Sequence, residues 1–591
     1  MNRTTKKMYV KISLFILFSI MLAEITAIST YAQDEGNFFF TLHLALRAPF
    51  REEYTELLPQ EFAKIGIKLI PEPLEGAAWS ERYSWEGATW DEGGVDLIQC
   101  AHGWQRYDPR IGFDFYLSTL SDLNKENLQD SVTHYYFANS WVDQAIAEAY
   151  KTTDIEEAQK YLHWADEIIY EESPLLFILW PKESLVMNAD IEGYEPRYGG
   201  GQRLVGMEKV SIKGTTAADD TQLVIAQASD VADVSPLTIG DVYSFPIQGL
   251  SYDSIVTLDN NYEPTPGLAK SWDVSEDQLT ITMYLEEDVL WHDGTPFTSE
   301  DVMWTYDFVA LSDDRPSFHY ASQYGVMKSK IDTIETPDEN TVVFKFNEPH
   351  GTFFVDAGKI KIMAKHRWDG ISRDDIGAHE YSVEGPAMGT GPYIMKEWVK
   401  GQYIMFEANE NYYKGAPNID TIYLKFIAEP AAAIAALEAG EVDWLQEPYK
   451  FGKELETLRG NSDIQIIEYE SGYVEPIGIN TNHPALANKY VRKALNYVIP
   501  REHIVTDLRY GMGTPANQLC PPWNWGHNPD LEPYEYNIET AREYMAMAGF
   551  DMSLLEEPDT TIPTSAYVMP AVAGLLIGVI ISIGYVYLTK K

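Results

Sequence analysis

Leu268-Ala269-Lys270-Ser271-Trp272 and, a short way on, Trp291-His292-Asp293-Gly294-Thr295-Pro296-Phe297-Thr298-Ser299-Glu300-Asp301-Val302 decide how this chain is read. Between them Leu279, Ile281, Met283 and Leu285 alternate with Thr280 and Thr282, the period of a strand with one face buried. Thr298 and Asp301 stand at the spacing of a capping box, in which each residue takes up a backbone N–H at a helix start, so a helix through Trp304 is expected.

Further out, Ala431 to Ala439 reads as a helix closed by Gly440. Val491, Ala494, Leu495 and Val498 mark another, and Ala541, Tyr544, Met545 and Ala548 a last one that ends at Gly549. Upstream, Ala158, Tyr161, Leu162, Ala165, Ile168 and Ile169 repeat at a spacing of three to four, an amphipathic helix that must stop before Pro174. Strands and helices mix throughout, so the class is α/β or α+β. From Ser211 to Asp220 the pattern lapses, and Lys213-Gly214-Thr215-Thr216 reads as a linker.

With 591 residues the chain needs two to four domains or lobes. Its 38 Tyr and 15 Trp fit a wet, aromatic cleft as well as an ordinary large core. A net charge of −46 repels phosphate backbones and sets nucleic-acid binding aside. There is no CxxC, no HExxH and no GxxxxGK[ST] phosphate loop, so no metal and no nucleotide cofactor is expected. Cys100 and Cys520, the only cysteines, allow one long-range disulfide or two buried thiols.

The two ends place the chain. Residues 1–33 have the layout of an export signal peptide: Arg3, Lys6 and Lys7, an apolar stretch from Ile12 to Ala27, then Thr30-Tyr31-Ala32; an uncleaved helix is the alternative. Val568 to Leu588 carries no charge and is followed by Lys590 and Lys591. A transmembrane helix over 567–589 is expected, after a stalk over 551–566. The rest then lies outside the cell, anchored to the membrane by a single span of an archaeal-type surface.

The opening run resembles the family 5 extracellular solute-binding proteins, which include the oligopeptide- and dipeptide-binding proteins of ABC importers. Thr221 to Phe550 resembles the first two thirds of a member. Further matches are Gly389-Thr390-Gly391-Pro392-Tyr393, Asn411-Tyr412-Tyr413-Lys414-Gly415-Ala416-Pro417, Ala439-Gly440-Glu441-Val442-Asp443 and Val491-Arg492-Lys493-Ala494-Leu495-Asn496-Tyr497. Phe38 to about Tyr198 resembles the final third, through Phe62-Ala63-Lys64-Ile65-Gly66-Ile67, Asp96-Leu97, Gly103-Trp104, Asp108-Pro109, Asn139 to Asp143 and Gly193-Tyr194. Each part of a member is present once, in swapped order, as a circular permutation would leave it; two fused fragments are the rival reading.

The resemblance implies an α/β, two-lobed periplasmic-binding-protein-like fold (type II, cluster C) with an extra subdomain, permuted, plus the C-terminal transmembrane helix. The expected parts are 38–169 as the first piece of lobe III, 170–210 returning to lobe I, 211–220 as the joining linker, 221–484 as lobe I with the inserted subdomain II, and 485–550 as the second piece of lobe III. It also implies a clamp that closes on a peptide and delivers it to a permease driven by a cytoplasmic ATPase, with no catalysis. Ligand contacts are expected at Gly103, Trp104, Gln105, Tyr107 and Asp108 on one lobe and at Asp241, Val242 and Tyr243 on the other. The register of the family's amine-binding aspartate falls on Tyr107, with Asp108 one step later. Without that anchor a small oligosaccharide is the alternative ligand, on platforms such as Trp104, Trp523 and Trp525; the two last also read as packing beside Pro521 and Pro522. The same residues could also serve a sensing ectodomain that does not transport. His292, inside the signature, reads as structural.

Overall fold

The computed structural model describes residues 38–47, 54–74, 95–99, 108–113, 116–117, 137–196, 204–216, 219–237, 243–259, 263–308, 330–446 and 453–555. One strand, Leu175–Asn188, joins its parts. At about 3.3 Å per residue it is more than twice the usual strand length. Its first part pairs antiparallel with Glu475–Ile479 and its second with Ile464–Glu470 and Trp444–Leu445. Around it runs a twelve-stranded sheet in the order Tyr393–Val399, Tyr403–Ala408, Thr421–Phe426, Gln222–Gln227, Trp444–Leu445, Leu175–Asn188, Glu475–Ile479, Leu97–Gln99, Phe40–Arg47, Ile67–Leu74. Ile464–Glu470 and Gly513–Pro515 add to the long strand off this path.

One half of the sheet is built from both ends of the described chain. Phe40–Arg47 lies between Ile67–Leu74 and Leu97–Gln99, all parallel. One core holds Leu42, Leu44, Leu58, Phe62 and Ile67 together with Ile477, Ile479, Leu495, Val498 and Met545. The reason is periodicity: Val491, Ala494 and Leu495 share one face of the Lys489–Tyr497 helix, Ala541 and Met545 one face of Ile538–Met547, and neither face has enough apolar area to be stable uncovered. On the other side of the sheet, helices Ser140–Tyr150 and Ile155–Glu172 bring Ala145, Ala149, Leu162 and Ile169 onto Phe177, Trp180 and Leu519. Residues close to the two ends of the described chain also meet. The Phe39 and Phe550 rings are 5.0 Å apart. A Cβ on Gly66, whose φ is +78°, would fall 2.5 Å from the Phe39 ring and 3.1 Å from Leu555.

The other half is continuous in sequence. Gln222–Gln227 lies between Thr421–Phe426 and Trp444–Leu445, parallel to both, over a core with Ile225, Tyr393, Phe406, Ile422 and Trp444. A separate four-stranded sheet, Ala269–Val274, Thr280–Leu285, Thr341–Phe346 and Ile331–Asp338, packs on helices Ser299–Tyr306 and Phe353–Lys359 around Met283, Trp291, Val302, Phe344 and Phe353. Burial alternates along Thr280–Leu285, and the Thr298–Asp301 capping box is present. His292 is half-buried, its Nε2 3.0 Å from the Gly391 carbonyl, and desolvation pulls its pKa down to about 4.

Two boundaries differ from the sequence reading. The expected crossings were at 170 and 485; in the structure partners change within the long strand around Pro181–Ser184, where a polar run interrupts its apolar pattern, and again between the strands ending at Glu470 and starting at Glu475. The linker at 211–220 is partly ordered, since Ser211–Ile212 pairs with Ile191–Glu192. Among the described residues no helix is long and apolar enough to cross a membrane; the export signal and span expected at 1–33 and 567–589, and the expected stalk beyond Leu555, lie outside them, while Met552–Leu554 at the stalk's start forms a short helical turn.

Candidate functional site

Strand direction decides which loops face the gap between the two halves. Trp444–Leu445 runs against the long strand, with Trp444 opposite Met187 and Leu445 opposite Val186. It therefore ends pointing towards the half that begins at Leu175, and its parallel neighbour Gln222–Gln227 ends the same way. Across the gap, Leu97–Gln99 runs antiparallel to Glu475–Ile479, which is itself antiparallel to the long strand. Leu97–Gln99 and its parallel neighbour Phe40–Arg47 thus end pointing back. Open α/β sheets take ligands at the carboxyl ends of parallel strands, and here two sets of such ends are turned towards each other.

Gly103, Trp104, Gln105 and Tyr107 follow Gln99 but fall outside the described residues, as do Asp241 and Val242. Tyr243 is half-buried just before the Phe245–Ser251 helix. Asp108 is buried and held inside the molecule. Arg110 donates to it from Nε (2.8 Å to Oδ1) and Nη2 (2.6 Å to Oδ2), and the Arg110 backbone N–H adds a third bond of 2.9 Å to Oδ1. A ligand ammonium would have to compete with this bidentate guanidinium. Burial alone would lower the Arg110 pKa, but the Asp108 charge and hydrogen bonds raise it above its ordinary value.

Trp523 and Trp525 are half-buried on the loop after Gly513–Pro515, a strand paired with Leu179 to Pro181 at the crossing. Arg110 lies 5.5 Å from the centre of the Trp525 ring, and Gln159 donates to the Trp525 carbonyl. Trp523 and Ile111 pack against Leu258 and Val355 of the opposite half. The same seam continues in polar contacts. Thr153 Oγ1 donates to Gln278 Oε1 at 2.8 Å. A Cβ on Gly351 would lie 2.4 Å from the Thr152 carbonyl oxygen and 2.6 Å from Arg110 Nη1. Behind Gly351, burial, helped by the charges of Lys330 and Arg110, pulls the His350 pKa down to about 3.

A cavity of about 430 Å³ opens elsewhere, between Val205 to Lys209, the hairpin carrying Thr257 and Thr265, and Tyr412 to Ala416. Its buried carboxylate, Asp253, accepts from Thr390 Oγ1 and Tyr412 Oη, and burial raises its pKa, with Lys414 and Lys361 opposing. Cys520 is buried with no described sulfur partner; burial, then Asp166 and Asp108, push its thiol pKa up. Cys100 lies outside the described residues. Among the described residues no three His, Cys, Asp or Glu side chains are grouped to hold a metal ion. Sequence reasoning passed over Arg110, Gln227 and Gln446. The Asp108-x-Arg110 spacing was a signal, but burial is what gives it meaning.

The profile described as bacterial extracellular solute-binding proteins, family 5 Middle, matches residues 263–573, past Phe550 and over the segment read as the stalk. A Brucella ovis protein that bears the name of an ABC transporter peptide-binding protein is 32% identical over 332 residues, 55% of this chain and 59% of that one. The oligopeptide-binding protein AppA of Bacillus subtilis is 30% identical over 334 residues, 56% of this chain and 59% of that one. A solved structure of AppA with a nonapeptide aligns at 26% identity and a TM-score of 0.46, covering 56% of this chain and 64% of that one. The chain thus spans about three fifths of the length of these curated relatives. Because the family profile covers more than half of its 591 residues, the chain belongs to family 5 of the bacterial extracellular solute-binding proteins.

Proposed function

We propose that this protein is the extracytoplasmic capture subunit of an ABC importer and closes two lobes on a peptide. The observation that carries this reading is the opposed carboxyl ends: Gln222–Gln227 and Trp444–Leu445 on one half, Phe40–Arg47 and Leu97–Gln99 on the other. Two crossing segments, near Pro181 and near Ser471, give such a pair of lobes a hinge. An extended peptide held there offers main-chain hydrogen bonds to both sides, and its side chains fall into wet pockets. Permease and ATPase partners, and anchoring through 567–589, belong to the same proposal. The test is native mass spectrometry of the full chain purified from its host membrane. A co-purified peptide is expected; release of nothing but lipid, together with no binding of mixed peptides, overturns the reading.

A second reading has one observation in its favour. Asp108 is committed to Arg110, and Trp525 lies against the same guanidinium, an arrangement that suits an uncharged, ring-stacking ligand such as a small oligosaccharide. The same mass spectra separate the two by ligand mass.

The swapped order of the parts is read as a circular permutation. It is supported by the core shared between Leu42 to Leu69 and Ile477 to Ala548, and by the contact of Phe39 with Phe550. A gene rearranged to begin at Asp219, run to Leu555 and continue from Phe38 to Thr216 is expected to give a protein with the same unfolding midpoint. Failure of that protein to fold, with the natural order intact, overturns the permutation.

A further inference from the structure

Two buried amide oxygens stand without partners at the edge of the sheet that faces the gap. Trp444 is opposite Ile225 and Leu445 opposite Ala226 in parallel register. One step further along the same two strands come Gln446 and Gln227, and the Gln446 backbone N–H still donates to the Ala226 carbonyl at 2.8 Å. Gln227 is 0% exposed and Gln446 2%. Gln227 Nε2 donates to the Ser229 carbonyl at 2.8 Å, but among the described residues its Oε1 has no hydrogen-bond partner, and neither has Oε1 of Gln446. The alternation of the pleat puts both side chains on the face that carries Ile225 and Trp444. Next to them on the long strand are Leu185 and Met187, which are apolar.

An amide oxygen without a donor in such a setting weakens the folded state. Two of them, side by side where adjacent parallel strands end towards the other half, form an acceptor pair. Neither carries charge, so the pair offers no counter-ion to a buried cation and is satisfied by neutral N–H donors. N–H groups on one side of an extended chain recur every second residue, about 6.6 Å apart, a span that two Gln side chains on neighbouring strands can reach.

We propose that Gln227 and Gln446 accept hydrogen bonds from main-chain N–H groups of the bound peptide and so fix its position on the lobe that carries them. The inference rests on the peptide-capture reading and adds to it the groups that read the backbone. A site built to bond an N–H strongly rejects the analogue that lacks it, because the acceptor is then left buried and alone.

The test uses the full chain and two probes: a mixed set of tri- to pentapeptides, and the same set N-methylated at each main-chain nitrogen in turn. Titration calorimetry gives the affinities. Gln446→Met and Gln227→Met keep the side-chain length and remove the acceptor. Each is expected to weaken binding of the unmodified set on the order of tenfold. Against peptides already methylated at the contacting nitrogen, the same substitution is expected to change nothing. The unfolding midpoint of ligand-free Gln446→Met should stay level or rise, since a lone buried acceptor is gone; Gln227→Met also loses its bond to the Ser229 carbonyl and is read by affinity alone. Variants that bind the unmodified set like the natural protein overturn the assignment, as does a fall in midpoint with affinity unchanged. If the natural protein binds neither set, the peptide reading fails and takes this inference with it; if it binds and the variants are indifferent, only the glutamines are excluded.

Discussion

Asp166 lies on the inner face of the Ile155–Glu172 helix, 1% exposed, and its Oδ2 has no partner among the described residues. Burial, with a smaller push from Glu167, raises its pKa well above the ordinary carboxylate range. The folded value thus exceeds the unfolded one, and folding takes up a proton. The stability this gives is complete below the ordinary carboxylate range and is lost as pH rises through the folded pKa. Asp166→Asn removes the ionisation. The variant is expected to gain about 1–3 kcal/mol on the natural protein at neutral pH, and the gain should vanish near about pH 4. Thermal unfolding across that range checks it, and a gain that does not depend on pH would show that ionisation has no part in it.

At the scale of elements, two devices fix helices to sheets. The Thr298–Asp301 box starts the Ser299–Tyr306 helix, but Asp301 does more than cap. Its Oδ1 accepts from the Lys365 backbone N–H at 2.9 Å, and its Oδ2 from Thr298 N–H at 3.0 Å. Thr298→Ala should cost about 1 kcal/mol, whereas Asp301→Ala, which also frees a second segment, should cost about 2–3 kcal/mol; equal costs in urea titrations would refute the double role. Arg501 is the second device. Buried, it donates from Nε to the Phe177 carbonyl at 2.6 Å, and from Nη1 and Nη2 to the carbonyl and side chain of Asn496. It ties the long strand to the Lys489–Tyr497 helix, although the two are far apart in sequence. Arg501→Ala leaves those acceptors bare and is expected to destabilise the protein by about 3–5 kcal/mol, measured by the shift of the urea midpoint at constant slope.

At the scale of the molecule, the halves meet at a seam with one tight spot. Gly351 is there because a side chain would strike Thr152 and Arg110 of the other half. Its backbone is not in the left-handed region, so alanine is strained only while the seam is shut. Gly351→Ala is therefore expected to open the seam while leaving each half folded. Hydrogen exchange should rise on the order of tenfold at 347–356 and at 150–154 alike, with the strand Thr341–Phe346 unchanged. Ile111→Ala, which trims the apolar side of the same seam, should act in the same direction. A rise confined to the loop around Gly351 would mean that the two halves do not move relative to each other.

Much of the local structure was written in the chain. Alternating Thr280 to Leu285, the Thr298–Asp301 spacing and the three-to-four repeat from Ala158 each depend on neighbours a few residues apart, and each is present. Family membership came from runs of adjacent residues for the same reason. What a side chain meets across the fold is not local, and there the sequence stopped. Asp108 looked available until Arg110 took both its oxygens, and Gln227 and Gln446 drew no notice until parallel pairing set them side by side. At the crossing the polar run Pro181 to Ser184 interrupts the apolar pattern, but such a break does not say that the strand runs on to new partners beyond it. Periodicity reports which face is buried; only the assembled sheet decides against what.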